Sequence, residues 1–236
     1  MRIAAALLLG LTLLATARGE PGATDRPAGV DEKLWKLLVE IDARSAQVKD
    51  LTADFTQEKF TPLLKKPLTS TGTILIKGSA SLWHTAQPEP TVMRIDDKEL
   101  RLLYPRQKVL EVYPTGQKMA SLAASPFPRL DVLKQHFTFQ QMATKELDAA
   151  AKEGETIALR MRPTEPELRK HIDEVQVLLQ VATGFVLRAT TIDSDGDRVV
   201  LSFSNIRVNG GVVDRELELV VPAGVKVTHP LEGDAK

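Results

Sequence analysis

The sequence predicts a mainly β protein of the α+β type, an antiparallel sheet laid out as a meander with helices covering one of its faces. Three observations predict it. Apolar residues at helical spacing open the ordered part of the chain and give way near Leu51 to a period of two. Short apolar runs then follow one another, separated by turn-rich pieces. A helix-like insert interrupted by proline divides these runs into two groups.

Residues 1–17 read as a cleaved signal peptide. Met1-Arg2 supplies a positive start, Ile3 to Ala15 is apolar apart from Gly10 and Thr12, and Ala15-Thr16-Ala17 forms an A-x-A cleavage site. The apolar run of about thirteen residues is short of the ~20 that a membrane-spanning helix needs. Residues 18–29, rich in Gly, Pro and charge, read as a flexible leader. One domain is expected over 30–230, with 231–236 as a tail.

Within the domain, Leu34, Leu37, Leu38, Ile41, Ala46 and Val48 mark a helix with Asp31 as its N-cap. Strands are expected at 71–77, 81–84, 91–95, 100–104 and 109–113. The insert follows. Met119 to Ser125 is helix-like, Pro126 and Pro128 break it, and Leu130, Leu133 and Phe137 mark one face of a short amphipathic helix. Strands resume at 156–161, 174–180, 185–192, 198–203 and 216–221.

Composition excludes several classes of chemistry. With 31 basic and 31 acidic residues, the chain offers no electrostatic argument for nucleic acid or an anionic surface. The lack of cysteine removes disulfides, thiolate metal sites and cysteine nucleophiles. His84, His136, His171 and His229 share no metal-ligand spacing and read as surface or strand-end residues. Asp193-Ser194-Asp195-Gly196-Asp197 has the wrong Gly and Glu positions for a calcium loop and reads as a hairpin turn. No catalytic motif, metal site or cofactor is expected, and the chain reads as a binding protein rather than an enzyme.

Several strands are apolar on both faces. Leu100, Leu102 and Tyr104 share one face while Leu103 lies on the other, and Ile74 and Ile76 oppose Leu75. Such strands need two coverings, and a concave apolar face under a proline-hinged insert has the shape of a ligand site.

Leu51-Thr-Ala-Asp-Phe-Thr-Gln57, Ser70-Thr-Gly-Thr-Ile-Leu-Ile-Lys77, Leu82-Trp83, Gln87-Pro88-Glu89-Pro90 and Tyr104-Pro105 stand in the order seen in periplasmic outer-membrane lipoprotein carriers of the LolA type. Ser125-Pro126-Phe127 resembles the family's mid-chain lid. Gly184-Phe185, Phe203-Ser-Asn205 and Val221-Pro-Ala-Gly-Val-Lys-Val227 resemble its C-terminal strands and closing segment. The resemblance spans about residues 35–229.

It implies an unclosed, strongly curved antiparallel half-barrel with helices over its open, concave side. It also implies a protein in the periplasm of a diderm bacterium, carrying lipoprotein acyl chains from an inner-membrane exporter of the ABC type to an outer-membrane acceptor. A monomer is expected, because a shuttle must diffuse and no exposed apolar stripe demands a partner. Cargo of another lipid or glycolipid, or a non-transporting sensor or interaction module, are the alternatives. The cavity expected from this resemblance and from the strand patterns comprises Phe55, Ile74, Ile76, Trp83, Met93, Leu102, Leu110 and Val112. Leu122, Phe127, Leu130 and Leu133 are expected from the lid. Where the family carries a lid-holding Arg, this sequence has Gly78, which makes the adjacent Lys77 the candidate latch.

Overall fold

The computed structural model describes residues 26–114 and 129–230. The segments read as signal peptide, most of the leader, the 119–125 helix, lid residues Leu122 and Phe127, and the tail lie outside them. Helix α1 (Glu32–Ser45) precedes six strands, β1 (Asp50–Phe60), β2 (Leu68–Lys77), β3 (Ala80–Gln87), β4 (Thr91–Ile95), β5 (Glu99–Tyr104) and β6 (Val109–Pro114). Helix α2 (Leu130–His136) runs directly into β7 (Phe137–Met142), followed by β8 (Thr156–Pro163), the short helix α3 (Pro166–Arg169), β9 (Glu174–Gln180), β10 (Val186–Ile192) and β11 (Arg198–Val208). A 3-10 turn at Asp214–Leu217 and the short strand β12 (Lys226–Thr228) complete the described chain.

All twelve strands form one sheet in the order β12-β6-β5-β4-β3-β2-β1-β11-β10-β9-β8-β7. Every pairing is antiparallel except β12 on β6. Strands β7 and β12 are the two free edges, so the sheet curls without closing, as the half-barrel expectation requires.

Helix α1 begins where Asp31 accepts a hydrogen bond from the Leu34 amide at 2.9 Å, the expected cap. Its buried stripe is Leu34, Trp35, Leu38 and Ile41, with Trp35 only 1% exposed. That stripe packs on Phe139, Leu159, Met161, Val177 and Leu179 of β7 to β9, and Leu130 of α2 joins the same cluster. Gly184, at φ +71°, brings the β9–β10 turn against α1, where a Cβ would sit 2.9 Å from the Ser45 Cβ. The helices therefore cover the β7–β10 half of one face. Cross-strand register places Phe55, Leu201, Ala189 and Val177 on that same face, so β1 to β6 continue it beyond the helices.

The opposite face of β2 to β6 is covered by a strap, residues 209–225. Val212, Leu217 and Leu219 of the strap pack on Leu82, Leu103 and Leu110, with Leu75, Val92 and Val112 at the margin. Asp50 anchors its start, accepting through Oδ1 from the Gly211 amide at 3.0 Å and through its carbonyl from the Asn209 amide at 2.8 Å. The Arg94 Nε donates to the Leu217 carbonyl at 2.9 Å. Strands apolar on both faces thus have their second covering.

The structure differs from the sequence expectation in several places, beginning with the long strand β1, where the sequence shows only a period of two from Leu51. Residues 216–221 form no strand. Residues 216 and 217 close the 3-10 turn and 218–221 run on without a ladder. Leu217 and Leu219 are buried against Leu82, Leu103 and Leu110 while Val220 is 78% exposed, so their spacing of two reflects packing rather than strand pairing. Strand β7 was not expected, because Phe137 and Phe139 belong to a strand that starts at the helix end without an intervening turn signal. Strand β12 joins in parallel through a three-residue pairing that no pattern announces. His136 is buried rather than exposed, its Nδ1 2.6 Å from a Glu165 carboxylate oxygen. Asp193–Asp197 forms the expected turn, with the Asp193 carboxylate accepting from the amides of Asp195 and Asp197 at 2.9 Å each.

Candidate functional site

The register assembles one face of β1 to β6 into rows of directly opposed residues. One row runs Ala53–Ile74–Trp83–Met93–Leu102–Glu111, a single residue from each of six neighbouring strands. A second runs Leu51–Ile76–Ser81–Ile95–Leu100–Tyr113. Side chains opposed in this way stand in contact, so five of the six positions in the first row make one apolar stripe. Five strand spacings of ~4.8 Å give this row a length of roughly 24 Å.

Aromatic rings fill the centre. Phe55 and Trp83 meet edge to face at 5.2 Å between centroids, Trp83 and Phe203 lie at 6.1 Å, and Phe203 meets Phe185 at 5.3 Å. Such pairs contribute roughly 0.5–1.5 kcal/mol each beyond the area they bury. Trp83 and Met93 remain half-exposed, whereas Ile74 is sealed. The Trp83 indole donates to the Ser81 hydroxyl at 3.2 Å, which fixes the ring orientation.

Gly72 makes this arrangement possible. A Cβ there would stand 1.9 Å from the His84 carbonyl oxygen and 2.8 Å from Phe55 Cε1. The Phe55 ring therefore lies against bare backbone, and the β2–β3 pairing carries a register shift at the same point.

At its far end the first row changes character. The Glu111 carboxylate accepts from the Tyr113 hydroxyl at 2.8 Å and from the Tyr104 hydroxyl at 3.4 Å. Burial, reinforced by the adjacent Glu111 charge and hydrogen bond, pushes the Tyr104 phenol up to about 12. A polar cluster thus closes an apolar stripe. Beside the sheet, Asp42 of α1 accepts from the Leu130 amide at 3.0 Å and pairs with Arg129 at 3.4 Å, pinning the start of α2 to α1.

The sequence-selected residues divide accordingly. Phe55, Ile74, Ile76, Trp83, Met93 and Leu102 converge on this face. Leu110 and Val112 do not. They alternate with Glu111 on β6 and pack under the strap on the other side of the sheet. Leu130 is buried and Leu133 half-buried in the α1 cluster, beside a cavity of about 30 Å³, room for about one water. Lys77, the candidate latch, makes its ion pair away from this face. Its position opposite to Ile76 carries it to the strap, where it pairs with Asp214 at 2.7 Å. Phe185, Phe203, Gly72, Glu111 and Tyr113 belong to the face but were not selected from the sequence. The alternation of Glu111 with Leu110 and Val112 is the signal that could have found Glu111 and Tyr113, once the inward face of β6 was known. Among the described residues no group of His, Asp or Glu converges to hold a metal ion.

The family model for the outer membrane lipoprotein carrier protein LolA matches residues 46–217. The chain belongs to the LolA family. The matched range begins just before β1 and ends inside the strap, so it includes the candidate face and the first part of its outer covering, with Leu219 beyond it. No curated protein matches the sequence. Among solved structures, the LolA-like fold recurs in an uncharacterized conserved protein from Thermus thermophilus, at 11% identity and a TM-score of 0.54, covering 84% of this chain and 99% of that one. MucB aligns at 11% identity and a TM-score of 0.50 over 83% of this chain and 65% of its own. The Mycobacterium tuberculosis lipoprotein LppX aligns at 9% identity and 0.44, over 78% and 99%. Among the described residues no helix is long and apolar enough to cross a membrane.

Proposed function

We propose that this LolA-family chain is a periplasmic carrier that lays the acyl chains of a lipoprotein along the Ala53–Leu102 stripe and ferries them from the inner to the outer membrane. The stripe is the observation that carries the reading. Acyl chains in water cost about 0.8 kcal/mol per exposed CH₂, so transit between membranes needs an apolar container. The Ala53–Leu102 stripe spans four strand spacings, roughly 19 Å, which exceeds the ~15 Å depth of one bilayer leaflet and is long enough to lie along an extended acyl chain. Trp83 and Met93, half-exposed beside the sealed Ile74 and Leu102, are the groups an incoming chain would cover.

In this reading Phe55, Ile74, Ile76, Trp83, Met93 and Leu102 line the site, and an ABC-type exporter and an outer-membrane acceptor are the partners. The family supports a binding or carrying role, with no catalytic step assigned to any residue.

Native mass spectrometry of the protein isolated from its periplasm, followed by lipid extraction, tests this. A co-purifying triacylated lipoprotein is expected, and a free lipid or glycolipid in its place would change the cargo. Titration with diphenylhexatriene, an apolar fluorescent probe with no acidic head, gives the second readout. Trp35 is sealed in the helix cluster, so a change in emission reports Trp83. An empty protein whose emission ignores the probe would overturn the carrier reading in favour of an interaction module.

A further inference from the structure

The apolar row does not end in hydrocarbon but in a carboxylate. Leu102 is opposed by Glu111 in register, and the flanking inward positions of β5 and β6 carry Tyr104 and Tyr113. Both phenols donate to the same Glu111 oxygen, Oε2. The second oxygen, Oε1, makes no hydrogen bond among the described residues, and an ionised carboxylate has acceptor sites for about four donors. Glu111 is half-buried, and an apolar row is a costly place to hold a charge unless something donates to it. On β12 the residue in register with Glu111 is Thr228, whose hydroxyl donates to the Leu110 carbonyl at 3.4 Å, and Lys226, in register with Val109, makes no ion pair with Glu111 among the described residues.

We infer that Glu111, held by Tyr104 and Tyr113, is a head-group site that selects ligands whose polar end donates hydrogen bonds. An ammonium, a hydroxyl or an amide N–H attached to an acyl chain would reach Oε1 while its chain lies over Leu102, Met93 and Trp83. A carboxylate or phosphate head would meet the Glu111 charge across a poorly solvated gap and is rejected. Specificity of this kind comes from repulsion of the wrong head as much as from attraction of the right one. The inference rests on the carrier reading above and adds the chemistry of the ligand's polar end.

The test uses three ligands of equal chain length, dodecylamine, dodecanol and dodecanoate, each displacing bound diphenylhexatriene, a fluorescent probe with no polar head, at neutral pH. In the full chain, dodecylamine should displace the probe at a concentration about tenfold lower than dodecanoate, the factor expected for one hydrogen bond to a charged group, with dodecanol between them. Glu111→Gln keeps the side-chain shape and should bring the three ligands to within about twofold of one another by removing that charged bond. Tyr104→Phe removes one donor from Glu111 without removing the charge, and the preference for the amine should persist. Equal displacement by amine and carboxylate in the unaltered protein, or an unchanged preference in Glu111→Gln, overturns the head-group site while leaving the carrier reading intact. If diphenylhexatriene itself does not bind, the carrier reading fails first and this inference fails with it.

Discussion

Replacing Gly72 with alanine probes the point on which the aromatic centre of the concave face depends. The added Cβ would lie 1.9 Å from the His84 carbonyl oxygen, 2.8 Å from its carbonyl carbon and 2.8 Å from Phe55 Cε1. A rotating side chain can relieve the last contact. The first two involve backbone of β3, so β2 and β3 must separate where Gly72 pairs with Thr85. Overpacking of a well-filled interior costs typically 1–3 kcal/mol, and a clash with backbone belongs at the top of that range, about 3 kcal/mol. Against a total stability of roughly 5–15 kcal/mol this is a large fraction. Urea m-values of about 1–3 kcal/mol/M convert it to a midpoint lowered by roughly 1–3 M. The assay is equilibrium urea unfolding of both proteins followed by circular dichroism. The double variant with Phe55→Leu should recover little of the loss, because the carbonyl clash remains. A Gly72→Ala protein within about 0.5 kcal/mol of its parent, the range of an ordinary surface change, would refute this account.

Asp42→Ala should leave the Leu130 amide without its acceptor, costing about 1–3 kcal/mol locally, and hydrogen exchange should quicken across α2 while α1 stays protected. Unchanged exchange at 130–136 would reject the tether. Burial pushes the Glu174 carboxyl up, but hydrogen bonds from Gln176, Arg162 and Arg160 outweigh it and hold the group below its ordinary value of 4.5. A depressed folded pKa gives stability that is present above the unfolded value and lost as pH falls through the folded one. Thermal unfolding should therefore show the parent losing more stability below pH 4.5 than Glu174→Gln does, and parallel curves would contradict it. Trp83→Ala should weaken acyl-probe binding about tenfold or more, since one large apolar contact contributes roughly 1.5–3 kcal/mol. Probe affinity unchanged by that substitution would remove Trp83 from the site.

Much of this architecture is legible in the residues themselves. Asp31 and the spacing of Leu34, Leu38 and Ile41 dictate α1, because a side-chain oxygen at the N-cap and a 3.6-residue stripe act within one stretch of chain. The alternation in β2 and β5 puts Ile74 and Ile76 opposite Leu75, and Leu100 and Leu102 opposite Leu103, which is a property of any extended strand. The need for two coverings follows from it. Which face each residue meets does not. The run Val109-Leu110-Glu111-Val112-Tyr113 is apolar on both sides, and only its pairing with β5 turns Glu111 inward and sends Leu110 and Val112 under the strap. The same holds for Lys77, whose partner Asp214 is distant in sequence, and for Asp42, whose acceptor oxygen meets Leu130 across two helices. Sequence periodicity fixes parity within a strand. Register between strands, and the chain that comes to lie over each face, are decided by contacts between residues far apart in the sequence, and these form only when the whole sheet curls.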